Sequence, residues 1–253
     1  MSEMPENRVA GATALVTGAS RGFGRGIATA LSRAGAQVIG VARDRVPLEE
    51  LRAELGGSFT AVPADATDPT VAGQLIDAYR PAILVLNAGA TPLMRPIQHH
   101  TWQTFSRNWD TDVQQAFHWT REAILAPLAP GSIVITLSSG AALRGSPMSG
   151  GYAGAKATIR FLTAYAAAES ERGALGIRFV SVLPQLTPAT ALGAVGVAGY
   201  AARQGVDVAT FIEGMGPALT PEHAGKAITD LVTGSGPDQD AYLLTAAGLG
   251  PLS

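Results

Sequence analysis

Seven short runs of aliphatic and β-branched residues recur along the chain, at 12–17, 37–42, 59–63, 82–86, 132–137, 177–183 and 242–245. Most are apolar at successive positions, so the strands they form are buried on both faces. That requirement is met by a parallel sheet with helices on each side. The segments between the runs supply the helices, at 22–34, 48–55, 69–79, about 102–128, about 152–172 and 220–233. Thr220 is a natural N-cap for the last of them, and Pro221 suits its first turn. No linker, repeat or low-complexity stretch interrupts the alternation. The pattern therefore predicts one α/β domain over 1–253, doubly wound, with about seven parallel strands. Residues 187–216 break the rhythm: they follow a strand closed by Pro184, contain Pro188, and are then filled with Ala, Gly and Val. They are expected to form a mobile, partly helical insertion over a site.

Composition narrows the function classes. Hydrophobic residues make up 47% and charged residues 15%, the balance of an ordered globular chain. With 18 Lys plus Arg against 20 Asp plus Glu, no basic surplus is available to hold a phosphate backbone, and nucleic acid is not an expected partner. The absence of Cys removes disulfides, thiolate catalysis and Cys-ligated zinc, and fits a reducing compartment. The first residues lack the layout of a signal peptide, and no apolar run reaches the ~18 residues of a membrane span. A cytoplasmic protein without membrane contact is expected. His99 and His100 have no carboxylate or third His at ligand spacing, so they are read as solvated loop residues and no metal is expected.

The first strand runs into Thr17-Gly18-Ala19-Ser20-Arg21-Gly22-Phe23-Gly24, a G-x-x-x-G-x-G turn that opens a helix. Glycines allow a sharp turn and a close approach to a pyrophosphate, whose charge meets the free N–H groups of the helix start. Strand, turn, helix and second strand follow at βαβ spacing, which points to a dinucleotide. Its identity is read after the second strand, at Val41-Ala42-Arg43-Asp44-Arg45. Arg43 stands where a guanidinium brackets a 2′-phosphate, and Arg21 adds a second cation, so NADP(H) is expected. In the alternative, Arg43 is solvated and Asp44 binds the ribose of NAD. The candidate cofactor contacts here are Gly18, Ser20, Arg21, Gly22, Phe23, Gly24 and Arg43.

Tyr152-Ala153-Gly154-Ala155-Lys156 sets a phenol and an ammonium four residues apart, on one helix face. A phenol of pKa about 10 is a poor acid or base near neutrality, and a neighbouring cation favours the phenolate. With few Tyr and Lys in the chain, a chance Y-x-x-x-K is expected only about 0.04 times. Ser139 ends the fifth strand and so places a hydroxyl at the carboxyl edge of the sheet, where ligands bind in such folds.

In their order and spacing, Thr17-Gly18-x-x-x-Gly22-x-Gly24, Asn87-Ala88-Gly89, Ser139, Tyr152-x-x-x-Lys156 and Pro184 resemble the short-chain dehydrogenase/reductase family. The likeness runs from about residue 10 to 189. It implies a Rossmann-like fold and a hydride transfer between nicotinamide and a carbonyl or secondary alcohol. By the same resemblance Asp65 meets the adenine, while Asn87 and Gly89 support the cofactor site. Ser139 holds the carbonyl oxygen, Tyr152 protonates it, and Lys156 binds the nicotinamide ribose and tunes Tyr152. Pro184 and Thr187 lie beside the nicotinamide, with Thr187 and Thr190 as partners for its amide. The family also implies a homodimer or homotetramer, in which Trp102, Phe105, Trp109 and Trp119 serve as core or interface packing. A small to medium, apolar carbonyl substrate is expected. An NAD-linked dehydrogenase and a non-catalytic dinucleotide sensor are the rival readings.

Three departures stand out. Where the family has a catalytic Asn, registration on Phe117 and Thr120 puts Asp112, with Asn108 one turn earlier as the fallback. The family's Pro-Gly is Pro184-Gln185 here, which would extend an amide toward the substrate. Thr245-Ala246-Ala247-Gly248 replaces the family's Asp-Gly-Gly near the C-terminus.

Overall fold

The computed structural model describes residues 9–234 and 239–252. Its strands are β1 (Thr13–Thr17), β2 (Gln37–Ala42), β3 (Phe59–Pro63), β4 (Ile83–Leu86), β5 (Ile133–Leu137), β6 (Arg178–Pro184), β7 (Ala241–Thr245) and β8 (Gly248–Pro251). They form one sheet in the order β3-β2-β1-β4-β5-β6-β7-β8. All pairings are parallel except β7 with β8. The doubly wound arrangement expected from the sequence is thus present, with one strand more than expected. β8 escaped the sequence pattern because it is four residues long, carries two glycines and a proline, and turns back at Gly248 with φ +113°.

Successive strand residues face opposite layers. Ala14, Val16, Ile83, Val85, Ile135 and Val182 enter a core shared with helices α1 (Gly22–Arg33), α2 (Arg45–Leu55) and the last helix of the chain. Leu15, Leu84, Leu86, Val134 and Phe179 enter the other core, with helix α3 (Pro69–Tyr79) and later helices. Two-sided burial is what removed polar residues from these strands.

The segment expected as one helix from about 102 to 128 is broken. It consists of α4 (Trp102–Ser106), a π turn at Trp109–Val113, and α5 (Gln114–Leu125). The backbone N–H groups of Asp112 and Val113 both reach the carbonyl of Asn108, at 2.7 and 3.4 Å, so one extra residue is inserted in the ladder. Sequence periodicity does not register such a one-residue slip. A short α6 (Ala141–Arg144) then precedes α7 (Gly150–Arg172). Residues 187–216 contain two helices, α8 (Ala191–Gln204) and α9 (Val208–Glu213), capped by Thr190 and Asp207. Helix α10 (Pro221–Thr233) has the expected Thr220 cap, reinforced by a return contact from His223.

Helices α1 and α10 meet backbone to backbone. A Cβ on Gly26 would lie 2.1 Å from the Pro221 carbonyl oxygen, and one on Gly225 would lie 2.4 Å from that of Gly26. Among the described residues, no helix is long and apolar enough to cross a membrane.

Candidate active site

The glycine turn sits where the strand order reverses, between β1 and β4, a position at which α/β sheets open a crevice. Gly18 has φ +68° and Gly22 φ +54°, values that favour glycine. Gly24 is required by contact instead: a Cβ there would stand 2.1 Å from the Gly18 carbonyl oxygen and 2.5 Å from Asn87 Nδ2. Neither atom belongs to a freely swinging side chain, since Asn87 Nδ2 donates to the carbonyls of Thr17 and Gly18 at 3.1 and 3.2 Å. Gly24→Ala is therefore expected to open the turn, costing about 1–3 kcal/mol of stability, and to weaken dinucleotide binding. Urea unfolding and a cofactor titration of this variant check both effects; unchanged values in both would mean that the turn yields freely.

The buried Thr17 hydroxyl accepts hydrogen bonds from the backbone N–H groups of Asn87 and Ala88, at 2.9 and 3.1 Å, and contacts Gln115 Oε1 at 3.2 Å. Gln115 Nε2 in turn donates to the Asp112 carbonyl at 3.4 Å. Thr17 and Gln115 thus join the glycine turn to the π turn. Sequence reasoning placed Thr17 in the turn motif but missed its link to Gln115, because an amide that serves backbone groups leaves no motif.

The start of α1 receives no side-chain cap, so its first N–H groups remain open to an anion. Arg21 and Arg43 are exposed and form no ion pair among the described residues. Asp44 caps α2, its Oδ1 accepting from the Val46 N–H at 3.2 Å. Asp65 follows β3 and accepts from the N–H and hydroxyl of Thr67. Behind it, the fully buried Trp119 donates its indole N–H to the Ala66 carbonyl at 2.8 Å.

The chemical groups converge at the carboxyl ends of β4 and β5. Lys156 Nζ donates to the Leu137 carbonyl at 2.9 Å, lies 3.2 Å from Asp112 Oδ2, and stands 5.6 Å from the centre of the Tyr152 ring. Asp112 is fully buried, and its Oδ1 accepts from the Ala90 N–H at 2.7 Å. Asn108 donates to the Ala90 carbonyl at 2.7 Å and approaches Asp112 Oδ1 at 3.4 Å. The π turn thus presents both residues to the loop after β4, with Asp112 as the one that meets the lysine. Gly89 packs directly on this carboxylate, since a Cβ there would lie 2.9 Å from Asp112 Oδ2.

Burial pushes the Tyr152 phenol above its ordinary pKa. Lys156 and a hydrogen bond with Ser139 pull it back, while the negative charge of Asp112 adds to the rise. Burial opposes the Lys156 charge, yet Asp112 and then Tyr152 hold its ammonium above the usual lysine value.

Some expected contacts look different in the structure. Thr187 is buried and its hydroxyl donates to the Leu219 carbonyl at 2.7 Å, which ties down the loop after β6. Thr190 caps α8. The Gln185 amide donates weakly to the Pro217 carbonyl at 3.5 Å. His99 is exposed as expected, but His100 is not a solvated loop residue. It is half-buried beside Asn108 and Tyr152, and its Nε2 is sealed from solvent without a partner. Among the described residues, no three His, Asp or Glu side chains gather at metal-binding distance.

The sequence profile of the short chain dehydrogenase family matches residues 12–196, which hold the glycine turn and the whole Asp112–Tyr152–Lys156 cluster. The chain belongs to that family. Among short chain dehydrogenases, L-xylulose reductase of Bos taurus is 30% identical over 184 residues, covering 72% of this chain and 75% of the relative. Two solved structures share the fold closely. The 3-ketoacyl-(acyl-carrier-protein) reductase of Brucella melitensis, complexed with NADH, has a TM-score of 0.74 and 25% identity, over 88% of this chain and 91% of that one. A Beutenbergia cavernae protein described by homology as an NAD(P)-dependent gluconate 5-dehydrogenase, with NADP bound at low occupancy, has a TM-score of 0.76 and 28% identity, over 90% and 91%. The family is one of oxidoreductases, and the chain is assigned to that class.

Proposed function

We propose that the chain is a single-domain, NADP(H)-dependent reductase that interconverts a carbonyl and a secondary alcohol in a small to medium substrate with an apolar body. The observation that carries this reading is the clustering of Tyr152, Lys156 and Ser139 at the sheet edge next to an uncapped helix start. The bound nicotinamide would supply or accept the hydride. Gly18, Ser20, Gly22, Phe23 and Gly24 would hold its pyrophosphate, with Asp65, Asn87, Gly89, Pro184 and the backbone at Thr187 around the rest. Relatives solved with NADH and with NADP support a nicotinamide dinucleotide for this chain as well.

The choice between the two rests on charge. Asp44 already serves α2, whereas Arg21 and Arg43 are free to meet a 2′-phosphate. Arg43→Ala is expected to weaken NADPH by roughly 1.5–3 kcal/mol and to leave NADH nearly unchanged. Titrating wild type and variant with both cofactors checks it. A wild-type preference for NADH would overturn the choice of cofactor.

In reduction, Ser139 holds the carbonyl oxygen and the Tyr152 hydroxyl delivers the proton to it. Lys156 holds the ribose and, through its charge, offsets part of the rise that burial imposes on the Tyr152 pKa. Asp112 opposes that effect. Asp112→Asn should lower the Tyr152 pKa, and oxidation, which needs the phenolate as base, should extend to lower pH. Its acidic limb in the kcat/KM profile should move down, and the alkaline limb for reduction should move down with it. An unmoved or raised limb would leave Asp112 without electrostatic influence on Tyr152 and favour Asn108. The decisive test of the function itself is oxidation of NADPH on a panel of ketones, with Tyr152→Phe as the control. No turnover of any ketone by wild type would favour a non-catalytic sensor.

The outer faces of α5 and α7 expose Phe117, Leu125, Phe161 and Tyr165, at 47%, 59%, 71% and 59%. Such a patch on neighbouring helices supports pairing with a second copy, and we assign the chain as a homodimer or homotetramer in the cytoplasm. The helices of 187–216 are taken as a movable cover over the substrate.

A further inference from the structure

Two neighbouring spaces share His100 and Phe105 as lining, and the inner one touches Tyr152. The inner one is a narrow cleft at Tyr152, Asn108, Pro92 and Leu93. The outer one is a chamber of about 370 Å³, reached past Gly150 and Ser146 and bordered by Arg95 and Arg203. Its surface is mainly apolar, from Pro96, Ile97, Pro147 and Phe105. No acidic side chain lines either space.

The two guanidinium groups come from different elements. Arg95 belongs to the loop after β4, is half-buried, and has its backbone N–H bonded to the Met148 carbonyl at 2.7 Å. Its Nη1 donates only to the His99 carbonyl, at 3.3 Å. Arg203 lies on α8, one turn after Tyr200, whose hydroxyl is bonded to Ser146 in the chamber wall. The Arg203 Nη1 reaches only the Met148 sulfur, at 3.6 Å. Neither arginine meets a carboxylate among the described residues.

His100 gives a separate sign that a ligand completes this wall. His100 Nδ1 lies 3.1 Å from the Thr104 hydroxyl, a hydrogen bond that either ring tautomer can make. Its Nε2 is buried without a partner among the described residues. Buried polar atoms are normally paired, which makes Nε2 a group that a ligand can satisfy.

We infer that the outer chamber takes the carboxylate end of the substrate, with Arg95 and Arg203 as its cationic partners and the carbonyl held at Tyr152. Guanidinium forks suit a carboxylate by geometry as well as by charge. The apolar wall takes the carbon chain between the two ends. This inference rests on the reading of Tyr152 as the group that faces the carbonyl, and it specifies a keto acid with an apolar spacer.

The test uses methyl ketones ending in a carboxylate, from 4-oxopentanoate to 8-oxononanoate, and their methyl esters. Calorimetry on the full chain, with and without NADPH, measures binding apart from turnover. At one or more spacer lengths the acid should bind roughly tenfold more tightly than its ester. The double variant Arg95→Gln/Arg203→Gln should bring the two to parity while leaving ester affinity unchanged. Equal affinity for acid and ester at every length, or failure of both to bind, overturns the assignment. A preference that survives in the double variant overturns it too. Acid binding that depends on the arginines but is followed by no turnover supports the chamber and removes the reductase reading, so the two can fail separately.

Discussion

Tyr152→Phe is expected to lower kcat by about 10²- to 10⁴-fold while the fold and cofactor affinity stay as they are. The substitution removes one hydroxyl and keeps the ring. Lys156 retains its ties to the Leu137 carbonyl and to Asp112, so this cation stays in place. Ser139→Ala should cost less, because it takes away a contact to the carbonyl oxygen and not the proton source. Steady-state rates on the best ketone, with NADPH titrations of each variant, check the order. Substantial activity in Tyr152→Phe would mean that another group supplies the proton.

Lys156→Met should act on stability as well as rate. Asp112 is fully buried, and its Oδ2 accepts no hydrogen bond among the described residues, so the lysine is the positive charge that compensates it. Removing one partner of a buried pair leaves an uncompensated charge, at a cost of about 3–5 kcal/mol. Asp112→Asn in the Lys156→Met background removes the stranded charge and should recover much of that loss. Urea midpoints for the wild type, both single variants and the double variant form a cycle that isolates the pair. A Lys156→Met protein as stable as the wild type would show that the pair contributes nothing to folding. A low rate in the double variant is still expected, since the cation that favours the phenolate is gone.

Much of the site could be read from the sequence, for a physical reason. Tyr152 and Lys156 lie on one helix, where a spacing of four fixes their proximity. Gly18, Gly22 and Gly24 lie in one turn. Ser139 and Asn87 end strands, and the ends of parallel strands meet at one edge. These placements follow from local geometry, and the structure places each of them at that edge. The position of Asp112 came from family registration, and its approach to Lys156 depends on the π turn, which periodicity cannot show. The bonds of Thr187, Gln185 and His100 to Leu219, Pro217 and Thr104 are not legible in the sequence, because loop conformation chooses them. Thr104 is only four residues from His100, yet nothing in the sequence says that their side chains bond. The same limit hid β8, whose identity depends on pairing with β7 and on no hydrophobic pattern of its own.

The π turn at Trp109–Val113 makes the chain sensitive to its exact length. It holds one residue more than an ordinary helical path between α4 and α5. A helix turns by about 100° per residue, so deleting any one residue there would restore a regular helix and swing Asn108 and everything before it around the axis. With Asp110 or Thr111 deleted, Asp112 could keep its bond to the Ala90 N–H only if Asn108 gave up its bond to the Ala90 carbonyl. A substitution can remove one side chain from the site, but a single-codon deletion in this stretch would change which side chains arrive there at all.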